Sequence, residues 1–486
     1  MSLTSPVPTK SFSGSWVRRA LLAPLLAALA AAGLHAQPAP APATPPNIIF
    51  ILADDLGYGD LGSYGQTKIR TPNLDRLAAQ GTRFTQFYSG APVCAPSRNV
   101  LMTGQHTGHA TIRGNAKVDL GVEEITVANV LKKAGYATGL VGKWGLGGEG
   151  TAGAPNKKGF DYFFGYVDQT MAHNYYPTYL LRNEERVPLR NVVPSPGPFG
   201  QGVATEKIDY SADLFADEAV KFVRVHQREP FFLYFATTLP HANNELRPDG
   251  MEVPDRSAYA NEPWPGPSQG YASMVTRLDD QVGRLLAELK ALGLEDRTLV
   301  LFASDNGPHR EGGNDPAFFK SSGPLRGLKR DVYEGGIRVP LIARWPGHVA
   351  AGGVSDHVGY FGDFITTVAE LVGGKAPANL DSVSFLPALT GKPAAQKEHE
   401  YLYWEFYEGA SAQAARLGRW KAVRSPMLTG KVELYDLVAD LREKENVAAA
   451  HADIVARLTA VLDQAHVPSP LWQIPVPRRG AAAPAP

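Results

Sequence analysis

One cysteine stands among 486 residues, in the run Ala91-Pro92-Val93-Cys94-Ala95-Pro96-Ser97-Arg98-Asn99-Val100-Leu101-Met102-Thr103-Gly104. It cannot be half of an internal disulfide. Ser97 and Arg98 crowd it, as a nucleophile's neighbours would, although an inert buried thiol is the plainer reading. A thiolate phosphatase loop would place five residues between its Cys and Arg, whereas three separate Cys94 from Arg98. Thiolate chemistry also gives no reason for Pro96. Four oxygen donors lie elsewhere, in the pairs Asp54-Asp55 and Asp305-Asn306. All are hard ligands, and no Cys or His accompanies them at zinc spacing, so they favour Ca²⁺ or Mg²⁺ over Zn²⁺. Arg98, Lys143, Lys329 and His241 follow predicted strands or sit in loops. If these groups converge, they would hold a tetrahedral oxyanion, with the imidazole free to act as acid or base.

Such convergence needs a scaffold. Asn47–Ala53, Pro230–Ala236 and Thr298–Ser304 are continuous apolar runs that read as buried strands, of the kind found in parallel sheets. Asp54-Asp55, His241 and Asp305-Asn306 follow their carboxyl ends, where ligands gather in open α/β sheets. Tyr136–Val141 reads as another strand, with Lys143 just beyond it. Arg83–Tyr88 and Ile337–Ala343 are further strand candidates, while 71–81, 97–103, 126–134, 211–226, 271–292 and 363–371 read as helices. Residues 160–202 are irregular, with Tyr175, Tyr176 and Tyr179 as sugar-facing candidates. Alternation of strand and helix predicts an α/β fold with a large mixed, mostly parallel sheet sandwiched by helices. From about residue 395, strands at 401–406, 417–423 and 431–435 and a helix at 449–462 predict a small C-terminal antiparallel-sheet-and-helix subdomain.

The remaining composition sets limits. Lys plus Arg equals Asp plus Glu at 48 each, so neither nucleic acid nor an acidic membrane surface is an expected partner. Lys10, Arg18 and Arg19 precede the apolar stretch 20–33, which is too short for a comfortable membrane span. This reads as an export signal over 1–36, cleaved after Ala36 and leaving no stable membrane insertion. The expected divisions are then a Pro/Ala-rich lead-in at 37–46, a catalytic domain at 47–394, the subdomain at 395–475 and a tail at 476–486. Export with one Cys suits a periplasmic or secreted protein.

The segment Cys94-Ala95-Pro96-Ser97-Arg98-Asn99-Val100-Leu101-Met102-Thr103-Gly104 resembles the signature of the type I, formylglycine-dependent sulfatases. Ala53-Asp54-Asp55, Gly142-Lys143-Trp144, Pro240-His241, Ser304-Asp305-Asn306-Gly307 and Leu325-Arg326-Gly327 through Gly336 match that family in order. The resemblance implies that a maturation enzyme oxidises Cys94 to formylglycine. One hydroxyl of the hydrated aldehyde attacks sulfur, and the second then expels sulfate by C–O cleavage. It further implies that Asp54, Asp55, Asp305, Asn306 and the modified Cys94 bind one divalent cation, Ca²⁺ before Mg²⁺. Arg98 would stabilise the formylglycine hydroxyl. Lys143 and Lys329 would clamp the sulfate, and His241 would protonate the leaving oxygen with Lys329. The expected substrate is a sulfated small molecule or glycan. A phosphonate or phosphodiester hydrolase of the same superfamily, or a silent sulfated-glycan binder, are the alternatives. One departure stands out: many family members carry Lys-Trp-His-Leu-Gly, and this chain has Gly145 at the histidine's place. His106, His109 and His173 are candidate substitutes.

Overall fold

The computed structural model describes residues 45–474. The predicted signal, nearly all of the lead-in and the tail lie outside them. Ten strands form one sheet: β1 (Asn47–Ala53), β2 (Thr82–Tyr88), β3 (Ala137–Lys143), β4 (Tyr162–Tyr166), β5 (Tyr179–Arg182), β6 (Glu185–Pro188), β7 (Phe231–Ala236), β8 (Thr298–Ser304), β9 (Leu341–Arg344) and β10 (Gly353–Tyr360). Their spatial order is β10-β2-β9-β8-β1-β7-β3-β4-β5-β6. Strands β8, β1, β7, β3 and β4 run parallel to one another, and β10 pairs parallel with β2. The other pairings, β8–β9, β9–β2, β4–β5 and β5–β6, are antiparallel.

Burial on both faces explains why the central strands are apolar at every position. Along β1, Ile48, Phe50 and Leu52 enter one core, and Ile49, Ile51 and Ala53 enter the other. Strict alternation of side chains makes that division unavoidable. Helices Cys94–Thr103, Val127–Lys133 and Asp363–Leu371 supply Leu101, Leu131 and Phe364 to the first core. Helices Pro72–Ala79, Ser211–Val225 and Gly266–Ala291 supply Leu74, Phe215 and Leu278 to the second.

A separate antiparallel sheet follows, with β11 (Leu402–Phe406), β12 (Ala412–Leu417), β13 (Trp420–Arg424) and β14 (Val432–Asp436) in sequence order. One face takes Leu458 and Leu462 of helix Ala452–Gln464. The other joins the first core through Trp404 and Val423, and the Trp404 indole donates to the Ser89 carbonyl at 2.9 Å. The small sheet thereby braces the loop that leads into Cys94.

Several local expectations needed correction. The stretch 160–202 is not wholly irregular, because β4, β5 and β6 extend the main sheet through it. These strands have only four or five residues each, too few to show a period. The expected strand 417–423 is a hairpin, since Gly418 turns the chain at φ +57°. The span 337–343 is divided between a helical turn at Glu334–Ile337 and β9.

Candidate active site

Because β8, β1, β7 and β3 are adjacent and parallel, their carboxyl ends share one edge. Asp54-Asp55 follow β1, Asp305-Asn306 follow β8, Lys143 closes β3, and His241 lies five residues past β7. Main-chain bonds lock the turns together. Asp54 N donates to Leu239 O at 3.0 Å, and Asp305 N donates to Ala53 O at 3.0 Å. Asp55 takes the left-handed backbone at φ +67°, a conformation that tends to persist where the surroundings over-determine it. Its N–H donates to Asp305 Oδ1 at 3.0 Å.

Cys94 opens the buried helix Cys94–Thr103 with its side chain against these turns. The helix begins three residues before the expected Ser97. Pro96 is tolerated in the first turn because that turn's N–H groups have no intrahelical acceptor. Cys94 Sγ lies 3.3 Å from Asp54 Oδ1 and 3.9 Å from Asp55 Oδ1. Burial, with Asp305 and Asp54 nearby, pushes the thiol well above its ordinary pKa. Arg98, on the next turn, donates through Nε and Nη2 to Asp305 Oδ2 at 3.1 and 2.9 Å, and through Nη1 to Lys143 O at 2.9 Å. In this structure Arg98 thus grips the Asp305 carboxylate directly. Lys143 Nζ donates to Asp54 Oδ2, and Lys329 Nζ to Asp55 Oδ2, both at 2.7 Å. The nine residues read as metal ligands or catalytic groups, Asp54, Asp55, Cys94, Arg98, Lys143, His241, Asp305, Asn306 and Lys329, meet in this one buried cluster.

The charges do not balance evenly. Burial raises both Asp54 and Asp55, but the cations around them outweigh it, with Lys143 foremost at Asp54 and Lys329 at Asp55; both stay below the usual carboxylate range. Asp305 goes the other way: burial and Asp54 push it up to about 7, despite Arg98. Asn306 Nδ2 donates to Asp55 Oδ1 at 2.7 Å. Its Oδ1 is buried with no hydrogen-bond partner among the described residues. An orphaned carbonyl oxygen, a carboxylate short of positive charge and an all-oxygen donor set fit a hard divalent cation.

His241 is the proton-bearing candidate. Its Nδ1 contacts the Ala242 carbonyl at 2.7 Å, which places the ring proton there. Nε2 then accepts from Lys329 Nζ at 3.2 Å. Burial and Lys329 lower its pKa to about 3, so the ring is neutral. Tyr175 donates to Thr238 O at 2.6 Å and His241 O at 2.7 Å. With Tyr175 fully buried and Tyr176 5% exposed, neither is free to stack on a sugar; Tyr175 instead fixes the His241 loop.

The candidate substitutes at Gly145 divide. His173 stacks on His241, with ring centroids 4.9 Å apart. His106 and His109 lie beyond the far end of the Cys94 helix, against Asp381. Ten residues at about 1.5 Å each put roughly 15 Å between the two ends, which removes both from the cluster. Gly145 itself has φ +78°, and a Cβ there would fall 2.6 Å from Gln169 Oε1. The space beside residue 145 is therefore filled by Gln169. Sequence reading also missed Glu311, Arg330 and His309. Glu311 and His309 follow the Asp305-Asn306-Gly307 turn by only a few residues, which was the available signal.

Residues 46–374 match the Sulfatase family model, and residues 328–467 match the model for the C-terminal part of N-sulphoglucosamine sulphohydrolase. The chain is 36% identical over 428 residues to N-acetylgalactosamine-6-sulfatase of Rattus norvegicus, covering 83% of this chain and 74% of that protein. It is 32% identical over 499 residues to N-acetylgalactosamine-6-O-sulfatase of Bacteroides thetaiotaomicron, covering 86% and 92%. Arylsulfatase A of Bos taurus is 36% identical over 419 residues, covering 81% and 76%. Among solved structures, Ps i-CgsB in complex with k-i-k-neocarrahexaose superposes with a TM-score of 0.73 at 29% identity, covering 87% and 92%. Among the described residues, no helix is long and apolar enough to cross a membrane.

Proposed function

This chain belongs to the sulfatase family and hydrolyses sulfate monoesters; from that premise we propose that its substrate is a sulfated carbohydrate and that residue 94 works as formylglycine. N-acetylgalactosamine 6-sulfate is the first sugar to test, on the strength of the relatives named for it. The observation that carries the reading is the setting of Cys94. The chain's one cysteine opens a buried helix against two aspartates, each ion-paired to its own lysine at 2.7 Å. That is a cradle for a tetrahedral anion, and the buried thiol is itself a poor nucleophile there.

Oxidised by a maturation enzyme that reads Cys94-Ala95-Pro96-Ser97-Arg98, residue 94 would supply a hydrated aldehyde as nucleophile; Cys94 Sγ stands where its oxygens would be. Asp54, Asp55, Asp305 and Asn306 would hold one hard divalent ion, Ca²⁺ before Mg²⁺ on the family resemblance, which would supply positive charge toward the sulfuryl oxygens. Lys143 and Lys329, both kept protonated by their aspartates, would neutralise the remaining oxygens. Arg98 would keep Asp305 ionised and aimed. His241, oriented by the Ala242 carbonyl, would pass a proton from the Lys329 side to the leaving alcohol. The basic and apolar segment at 10–33 supports export, with cleavage after Ala36.

Inorganic sulfate release from N-acetylgalactosamine 6-sulfate, compared with hydrolysis of an activated phosphodiester, tests the reading. Faster sulfate release is expected. Fast diester hydrolysis with negligible sulfate release would overturn it.

A further inference from the structure

A carboxylate is out of place beside a site built for an anion, yet Glu311 is there. Its Oε2 lies 3.0 Å from Lys329 Nζ and 3.6 Å from His241 Nε2. Its Oε1 accepts from Arg330 Nη1 at 2.6 Å. The side chain is only 11% exposed. Lys329 already has Asp55 at 2.7 Å, so Glu311 is not needed to neutralise it. Arg330 is unusual too, a non-glycine residue at φ +80°. Its N–H donates to Pro92 O at 2.9 Å, just ahead of Cys94. The left-handed backbone lets two consecutive cations, Lys329 and Arg330, grip one carboxylate from opposite oxygens. Backbone outliers of this kind persist only where the surroundings over-determine them, and they cluster at functional sites.

We infer that Glu311 is the positioning residue of the leaving-group acid, holding Lys329 and His241 together while Arg330 fixes its outer oxygen. The inference rests on the sulfatase reading given above. When the S–O bond breaks, its electron pair stays on the leaving oxygen, which takes a proton from the Lys329–His241 pair. Water returns that proton after the alcohol departs. A single position of Lys329 Nζ serves Asp55 at 2.7 Å, Glu311 at 3.0 Å and His241 at 3.2 Å. Glu311 holds the ammonium on the His241 side against the pull of Asp55.

Glu311→Gln keeps the shape and removes the charge. Proton donation matters most for a poor leaving group and little for an acidic phenol. On a sugar sulfate, kcat should fall about 10- to 100-fold with KM nearly unchanged. On aryl sulfates of increasing phenol acidity the loss should shrink to within about threefold. Arg330→Gly, which relaxes the backbone and frees Oε1, should give the same pattern more weakly, and it carries the test if Glu311→Gln does not fold. Equal losses on every leaving group, or no loss at all, would overturn the inference. A wild type that releases no sulfate would sink the underlying reading instead.

Discussion

Replacing Arg98 by methionine keeps the buried stem and removes the guanidinium. The wild-type group makes three hydrogen bonds, two to Asp305 Oδ2 and one to Lys143 O, and is fully buried. Removing one member of a buried pair typically costs about 3–5 kcal/mol, because the partner stays behind uncompensated. Roughly 430 ordered residues at about 2.1 cal/mol/K each give a melting entropy near 0.9 kcal/mol/K. The expected fall in Tm is therefore only about 3–6 °C. A bound divalent cation would change the sum. With a cation against Asp305, its carboxylate keeps a partner, so the fall should be smaller in excess Ca²⁺ than in EDTA. Calorimetry should be run well above the pKa of Asp305, which burial and Asp54 bring to about 7, so that the carboxylate cannot escape by taking a proton. An identical fall in Ca²⁺ and EDTA, with wild-type metal content, would refute the argument that Arg98 serves a cation-binding carboxylate.

Asp54→Ala should abolish stoichiometric Ca²⁺ measured by elemental analysis, and undiminished metal would contradict the ligand assignment. His106 is buried, and burial lowers its pKa from 6.5 to about 4. The unfolded chain thus binds this proton first as pH falls from 6.5 toward 4, and stability is lost across that window. At 1.36 kcal/mol per unit the loss is at most about 3.4 kcal/mol; urea titrations at several pH values should show a flatter acid limb in His106→Gln. Gly145→His should destabilise the fold by at least about 1–2 kcal/mol from its left-handed backbone alone. Adding Gln169→Ala should recover the part due to the clash with Gln169 Oε1, as read by chemical denaturation.

The parts legible in the sequence were those with one physical cause acting over several residues. Burial on both faces made β1, β7 and β8 continuous apolar runs, and the polar residues at their ends then marked the site edge. Lys143 and His241 followed from the same rule. The hairpin β5–β6 was hidden because its short strands are partly solvated, so no period develops. Glu311 and Arg330 looked like ordinary solvated loop charges. Only the fold, which brings the 308–311 turn against 329–330, sets them beside His241. Tyr175 misled in the opposite sense: an aromatic in a Pro-rich stretch suggested a sugar platform, whereas its hydroxyl serves two buried carbonyls. The histidines at 106 and 109 were near Cys94 in number, but a rigid helix carries them away from it.

The central claim is that Cys94 is not a cysteine in the working enzyme. It is tested by mass spectrometry of the tryptic peptide Phe84–Arg98, from protein made with a sulfatase-maturing enzyme, alongside sulfate release by the same preparations. An aldehyde or its hydrate is expected at residue 94, with turnover rising in proportion to the modified fraction and absent in Cys94→Ala. Full turnover by protein whose residue 94 is an unmodified thiol would contradict it.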